Sequence, residues 1–157
     1  MAKRSAGLLL YRRRNGSAEV FLVHPGGPFW AKKDLGAWSI PKGEYSEGED
    51  PLSAARREFE EETGFPAPPH CVALGEVKQA GGKVVTAWAA EGDCDPGKLV
   101  SNQCQVEWPP RSGRMIDIPE VDRAGWFSIG EAGERILQSQ QPFLDRLMRM
   151  LESTPNR

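Results

Sequence analysis

Glu58, Glu61 and Glu62 stand within five consecutive positions of a 157-residue chain. If the stretch is helical, residues three and four apart are neighbours, so Glu58 shares a flank with both Glu61 and Glu62. Like charges at that spacing destabilise a helix by roughly a few tenths of a kcal/mol per pair. A cation sitting among them reverses the sign. Clustered carboxylate oxygens suit a hard ion such as Mg²⁺, which keeps several waters and binds substrate phosphates beside one or two carboxylates. Arg57, adjacent to Glu58 and four residues before Glu61, supplies a counter-charge.

The element that positions these groups is readable on either side of them. Asp50-Pro51 supplies a helix start, because proline at the first helical position loses no hydrogen bond the helix would have used. Gly64 suits the position just past the helix end, where a left-handed backbone is common. Leu52, Ala55 and Phe59 mark one apolar stripe facing a core. Acid-rich helix faces are usually just solvated. Here the fixed spacing, with Gly43 before and Gly64 after, argues otherwise. A calcium loop needs acidic or Asn ligands alternating through twelve residues, and Asp50-Pro-Leu-Ser-Ala-Ala does not supply them.

From Gly43 to Phe65 the chain resembles the Nudix box. Gly43, Glu49, Arg57, Glu58, Phe59, Glu61, Glu62, Gly64 and Phe65 fill its nine fixed positions without a gap, over 23 of the 157 residues. The resemblance implies an α+β fold, with a mixed curved sheet sandwiched between helices. It implies Mg²⁺, or Mn²⁺ in its place, held by Glu58, Glu61, Glu62 and the backbone carbonyl of Lys42. Gly43 would allow the close approach there, and Arg57, paired with Glu49, would orient the carboxylates. The implied reaction is hydrolysis of a nucleoside diphosphate linked to another moiety. Glu58 is a possible base; a base outside the box is also common in the family. Glu120, six residues before Trp126, resembles that position, with Glu107 as its rival. Trp38-Ser-Ile-Pro-Lys-Gly43 is similar to Nudix enzymes that cleave dinucleoside polyphosphates and to some that sanitise oxidised dGTP. The alternative is a Nudix-like domain that senses a nucleotide without cleaving it, but such members usually lose box glutamates and this chain keeps them.

Composition sets the frame. Hydrophobic residues at 39% and charged residues at 27% are ordinary for a globular chain, and 157 residues are most simply one domain, 1–157. The net charge of −2 is uneven: residues 44–62 hold eight acids and two arginines, leaving 18 basic against 14 acidic residues elsewhere. An acidic patch in a mildly basic frame fits a small polyanionic ligand bound through metal. No basic stripe suggests duplex nucleic acid, and no apolar run approaches a membrane span. Ala6 to Tyr11 is too short for a secretory core, so the cytoplasm is the expected location. Cys71, Cys94 and Cys104 are odd in number and lack Cys-x-x-Cys spacing, which argues against zinc or a disulfide framework.

In chain order, Ser5–Arg12 and Glu19–His24 read as a hairpin around Asn15-Gly16. Arg12, Arg13 and Arg14 read as a solvated turn, and His24 as structural or solvent-facing. Residues 25–36 form a long irregular stretch in which Phe29 and Trp30 are candidates to stack on a base; Trp38 and the Lys42 side chain are further substrate candidates. Cys71–Gln79 and Lys83–Ala90 read as strands around Gly81-Gly82, and Gln103–Trp108 as another. Asp117–Asp122 reads as a loop and Arg123–Phe127 as a short strand with Trp126 or Phe127 turned inward. Ser128 caps a helix to about Gln138, with Glu131 as capping-box partner, and Pro142 opens a last helix with Phe143, Leu147, Met150 and Leu151 on its apolar face. The tail, Ser153–Arg157, is expected to fray.

Overall fold

The computed structural model describes residues 3–153. Its organising strand is β1 (Arg4–Arg14), parallel to β5 (Val84–Glu91) on one side and antiparallel to β2 (Ser17–Pro25) on the other. Beyond β5 lies β4 (Val72–Lys78), and beyond β2 lies β8 (Val121–Ser128), giving the order β4-β5-β1-β2-β8. Leu8, Leu9, Leu10, Phe21 and Leu22 are all buried, so both faces of β1 and β2 are covered and the strands read as apolar runs. The hairpin turn falls at Asn15-Gly16, where both residues take positive φ (53° and 79°), the requirement of a two-residue turn matching strand twist.

β1 and β2 pair only from Tyr11↔Val20 outward. Inward of that point, segment 38–44 wedges between them. Val23 and Ser39 exchange backbone hydrogen bonds of 2.9 Å, Leu8 N–H donates to the Pro41 carbonyl at 3.1 Å, and β3 (Lys42–Glu44) pairs with Ser5–Gly7. The wedge brings Lys42 and Gly43 to the start of β1.

Helices cover both faces. Helix α1 (Pro51–Thr63) places Ala54, Ala55 and Phe59 against Ala6, Leu8, Leu10, Phe21 and Val23. On the other face α2 (Ile129–Arg135) and α3 (Gln141–Ser153) place Ala132, Phe143, Leu144 and Leu147 against Leu9, Leu22, Ile40 and Val85. This is the expected α+β arrangement, a mixed sheet between helices. No helix among the described residues is long and apolar enough to cross a membrane.

Several local expectations need correction. Residues 117–122 are no loop: β7 (Met115–Pro119) pairs with β6 (Gln103–Glu107) as a separate ribbon, and β8 already begins at Val121. Pro119 is tolerated because each strand of a two-stranded ribbon is an edge strand. Trp126 and Phe127 both turn inward, on opposite faces as neighbouring strand residues must, with Trp126 on Phe21 and Phe127 on Trp38. Leu52 is only half-buried. Helix α2 stops at Arg135, short of Gln138, because Ile136 turns extended and Leu137 N–H donates to the Trp38 carbonyl. The expected fraying beyond Ser153 lies outside the described residues.

Candidate active site

Helix α1 is fixed at both ends. The Asp50 carboxylate accepts from Ser53 N–H at 3.0 Å, Pro51 takes the first helical position, and Gly64, at φ 77°, donates to the Glu60 carbonyl at 2.8 Å. Thr63 is buried and accepts from Phe65 N–H at 3.1 Å, closing the turn after the helix. The ends set the helix's rotation, and that rotation divides the glutamates. Glu58 and Glu62, four apart, are buried on the sheet side, while Glu61 is exposed.

Arg57 links the two flanks. Its Nε and Nη2 donate to both oxygens of Glu49 at 3.0 and 3.2 Å, the bidentate pairing expected from the sequence. Its Nη1 donates to Glu58 at 3.0 Å and to Glu61 at 3.3 Å. The guanidinium, through its hydrogen bonds, holds the Glu49 carboxyl below its ordinary range.

The buried carboxylates are strained electrostatically. Burial pushes Glu62 up to about 8, and the nearby charges of Glu120 and Glu58 push the same way. Glu58 is also raised, by burial first and then by Glu61 and Glu120 against the pull of Arg57. Glu120 is raised by burial and by Glu61, while its hydrogen bond with Glu62 opposes the rise. The Lys42 ammonium is held below its usual range, chiefly by burial. Lys42 N–H donates to Glu62 at 3.3 Å, tying the wedge to α1. Glu120 is itself anchored by its backbone: its N–H donates to the Asn102 carbonyl at 2.9 Å and its carbonyl accepts from Gly26 N–H at 3.0 Å.

Two cavities meet at these residues. One, of about 320 Å³, has apolar walls that include Val23, Trp30, Ile40, Ile118, Val121 and Leu137. The other, of about 410 Å³, is lined by Ser5, Glu44, Glu58 and Lys83. Lys42, Glu62 and Glu120 line both.

Of the substrate candidates, Lys42 and Trp30 therefore reach the cavity wall. Phe29 does not: it is 57% exposed, edge-on to Trp30 at 5.1 Å, with the Lys33 ammonium over its ring at 3.8 Å. Trp38 is a correction. It is 5% exposed, donates from Nε1 to Asp34 at 2.8 Å and packs on Phe127 at 5.0 Å, so its ring belongs to the core. Glu107 is also withdrawn as a base, because its oxygens accept from Arg111 and Gly113 N–H at 3.2 and 2.9 Å and so close the loop between β6 and β7. His24 is fully buried rather than solvent-facing. Its Nε2 donates to the Lys33 carbonyl at 2.6 Å and its Nδ1 meets Asp122 at 2.9 Å, pinning residues 25–37 to the sheet. Arg12 is not merely solvated; it pairs with Glu19 and Asp93, each at 2.8 Å. Gly26, Cys104, Ile118 and Lys83 escaped sequence reading, since none carries a local motif.

The residues present fit a hard divalent cation. The donor set is all oxygen, and buried carboxylates that raise one another's pKa lack positive charge. Gly43 completes the cradle: a Cβ there would overlap the Glu58 carboxylate. Among the described residues no three acidic, His or Cys side chains are already gathered round one point. Arg57 is the cation that spans Glu58 and Glu61.

A mixed sheet between helices, with a glycine-bracketed glutamate helix facing a half-buried lysine, defines a recognisable class. The family model described as NUDIX domain matches residues 1–147, and the chain belongs to the Nudix family of hydrolases. Over 29 residues it is 62% identical to Nudix hydrolase 25 of Arabidopsis thaliana, a stretch spanning 18% of this chain and 17% of that curated relative. The C. elegans Ap4A hydrolase binary complex superposes with a TM-score of 0.68 at 21% identity, covering 96% of this chain and 99% of that one. The NUDIX domain of Shewanella oneidensis NrtR complexed with ADP ribose gives 0.63 at 17% identity, covering 96% and 89%. At these identities the likeness to the solved structures is one of fold.

Proposed function

We propose that the chain acts as a single Nudix domain and is a magnesium-dependent pyrophosphohydrolase. Its substrate on this reading is a nucleoside diphosphate linked to a further moiety, most simply a nucleoside or dinucleoside polyphosphate. The observation that carries the reading is the junction at Lys42, Glu62 and Glu120, where an apolar cavity meets a carboxylate-lined one. A flat, largely apolar base suits the first, with Trp30 available to stack on it. A diphosphate and its cation suit the second.

Glu58, Glu61, Glu62 and the Lys42 carbonyl would hold the magnesium, which when bound screens phosphate charge and lowers the pKa of water. Arg57, anchored by Glu49, orients Glu58 and Glu61. The Lys42 ammonium offers positive charge to a phosphate oxygen. Glu120 is the acid best placed to take the proton of an attacking water, since its backbone is held from both sides and its side chain borders both cavities.

A hydrolysis panel tests the reading, run with and without Mg²⁺ on diadenosine tetraphosphate, dGTP, 8-oxo-dGTP and ADP-ribose, with products separated by chromatography. At least one compound should turn over only with Mg²⁺, and the Glu62→Gln variant should lose that turnover while keeping its fold. If none turns over while nucleotide and metal still bind, the domain senses a nucleotide instead.

A further inference from the structure

Glu120 is the single residue between two strands of different sheets: β7 of the ribbon ends at Pro119 and β8 of the main sheet begins at Val121. It stands in neither strand register, so its backbone groups must find partners elsewhere. One partner comes from a strap, residues 100–102, slung from the C-terminal turn of α1. Val100 and Asn102 N–H donate to the Thr63 and Glu61 carbonyls, each at 3.0 Å. Carbonyls of a last helical turn have no partner within the helix, so the strap satisfies groups that α1 leaves open. The Asn102 carbonyl in turn accepts from Glu120 N–H at 2.9 Å.

Ser101 closes the strap with its side chain. Its hydroxyl accepts from Val121 N–H at 3.0 Å and donates to the Asn102 carbonyl at 3.1 Å, the carbonyl that also receives Glu120. A hydroxyl can do both at once, because it carries one donor and two acceptor lone pairs. One half-buried side chain therefore holds the Val121 N–H directly and the Glu120 N–H through its neighbour. Ser101 lines neither of the two cavities at the site, so it acts without touching what they hold.

We propose that Ser101 is a positioning residue whose hydroxyl sets the spacing between the carboxylates of α1 and the Glu120 side chain. The inference rests on the hydrolase reading with Glu120 as the proton acceptor, for which a misplacement of about 1 Å costs about 10²-fold in rate. Ser101→Ala leaves the Val121 N–H without its acceptor and frees the corner to move, whereas Ser101→Thr keeps the hydroxyl.

Two readouts separate the strap from the reaction. Amide hydrogen exchange is followed by NMR on the protein without metal or nucleotide. Val121 N–H should exchange about tenfold or more faster in Ser101→Ala than in wild type, with Leu9 in β1 unchanged and Ser101→Thr slow again. Kinetics on the compound that the panel identifies should show Ser101→Ala lowering kcat about tenfold or more, with KM within about twofold. Ser101→Thr should stay within about threefold of wild type. In the Glu120→Gln background Ser101→Ala should change kcat by less than about twofold, because the group it positions is already disabled. Unchanged exchange at Val121, an unaffected kcat, a change in KM alone, or an equal loss with and without the Glu120 carboxylate each overturns the proposal. Absence of turnover of every compound removes the hydrolase reading and the catalytic role with it, while the exchange result still decides whether Ser101 holds the corner.

Discussion

Glu120 and Glu107 come from the same stretch of sequence and meet opposite fates. The Glu107 carboxylate accepts from two backbone N–H groups and serves its loop, whereas Glu120 borders both cavities beside Glu62. Proton transfer by a positioned carboxylate is worth about 10²–10⁴ in rate. Glu120→Gln is therefore expected to lower kcat by about a hundredfold or more with little change in KM, and Glu107→Gln to leave kcat within about threefold. Steady-state kinetics on whichever compound the panel identifies decides it, and a Glu120→Gln enzyme with near wild-type kcat removes Glu120 as the base.

At the scale of elements, the β6–β7 ribbon supplies one wall of the apolar cavity through Cys104 and Ile118. It is tied to the end of α1 by Asn102 N–H on the Glu61 carbonyl and Val100 N–H on the Thr63 carbonyl, each at 3.0 Å. Opposite, it rests on Gly26 and Gly27. A Cβ at Gly26 would overlap the Pro119 carbonyl, and one at Gly27, whose φ is 93°, would come within 2.6 Å of the Ile118 side chain. The glycine pair thus sets the height of the cavity. Gly27→Ala is expected to turn the tip of the Ile118 side chain within the cavity wall, raising KM more than it lowers kcat. Overpacking and the positive φ together should cost about 1–3 kcal/mol in chemical denaturation. Unchanged KM would show that the ribbon does not bound the substrate.

At the scale of the whole molecule, the buried acids couple stability to pH and to cation binding. The Glu62 carboxyl is raised from 4.5 to about 8 in the folded protein. A raised carboxyl favours the folded state while protonated. That contribution is full below the unfolded value and is lost as pH climbs through the folded one. The thermal midpoint of the metal-free protein should therefore decline from about pH 5 to about pH 8, and Glu62→Gln should flatten the decline. Magnesium competes for the same carboxylates and should raise the midpoint most at the high-pH end. A slope identical in wild type and Glu62→Gln would place the pH dependence elsewhere.

What could be read from the chain alone is what short-range physics decides. Asp50-Pro51 and Gly64 delimit α1 to the residue, Asn15-Gly16 makes the hairpin, and Arg57 meets Glu49, because capping, turn chemistry and helical spacing act over a few positions. The same spacing grouped Glu58, Glu61 and Glu62 on one flank, but only packing against the sheet decided which of them are buried. Trp30 and Trp38 look alike as aromatic candidates in sequence; the core took one and the cavity wall the other. Lys83 and Ile118 carry no local signature at all. Their place at the site follows from strand pairings and ribbon contacts between residues far apart in the chain, where burial and hydrogen bonding across the fold, rather than local preference, set the outcome.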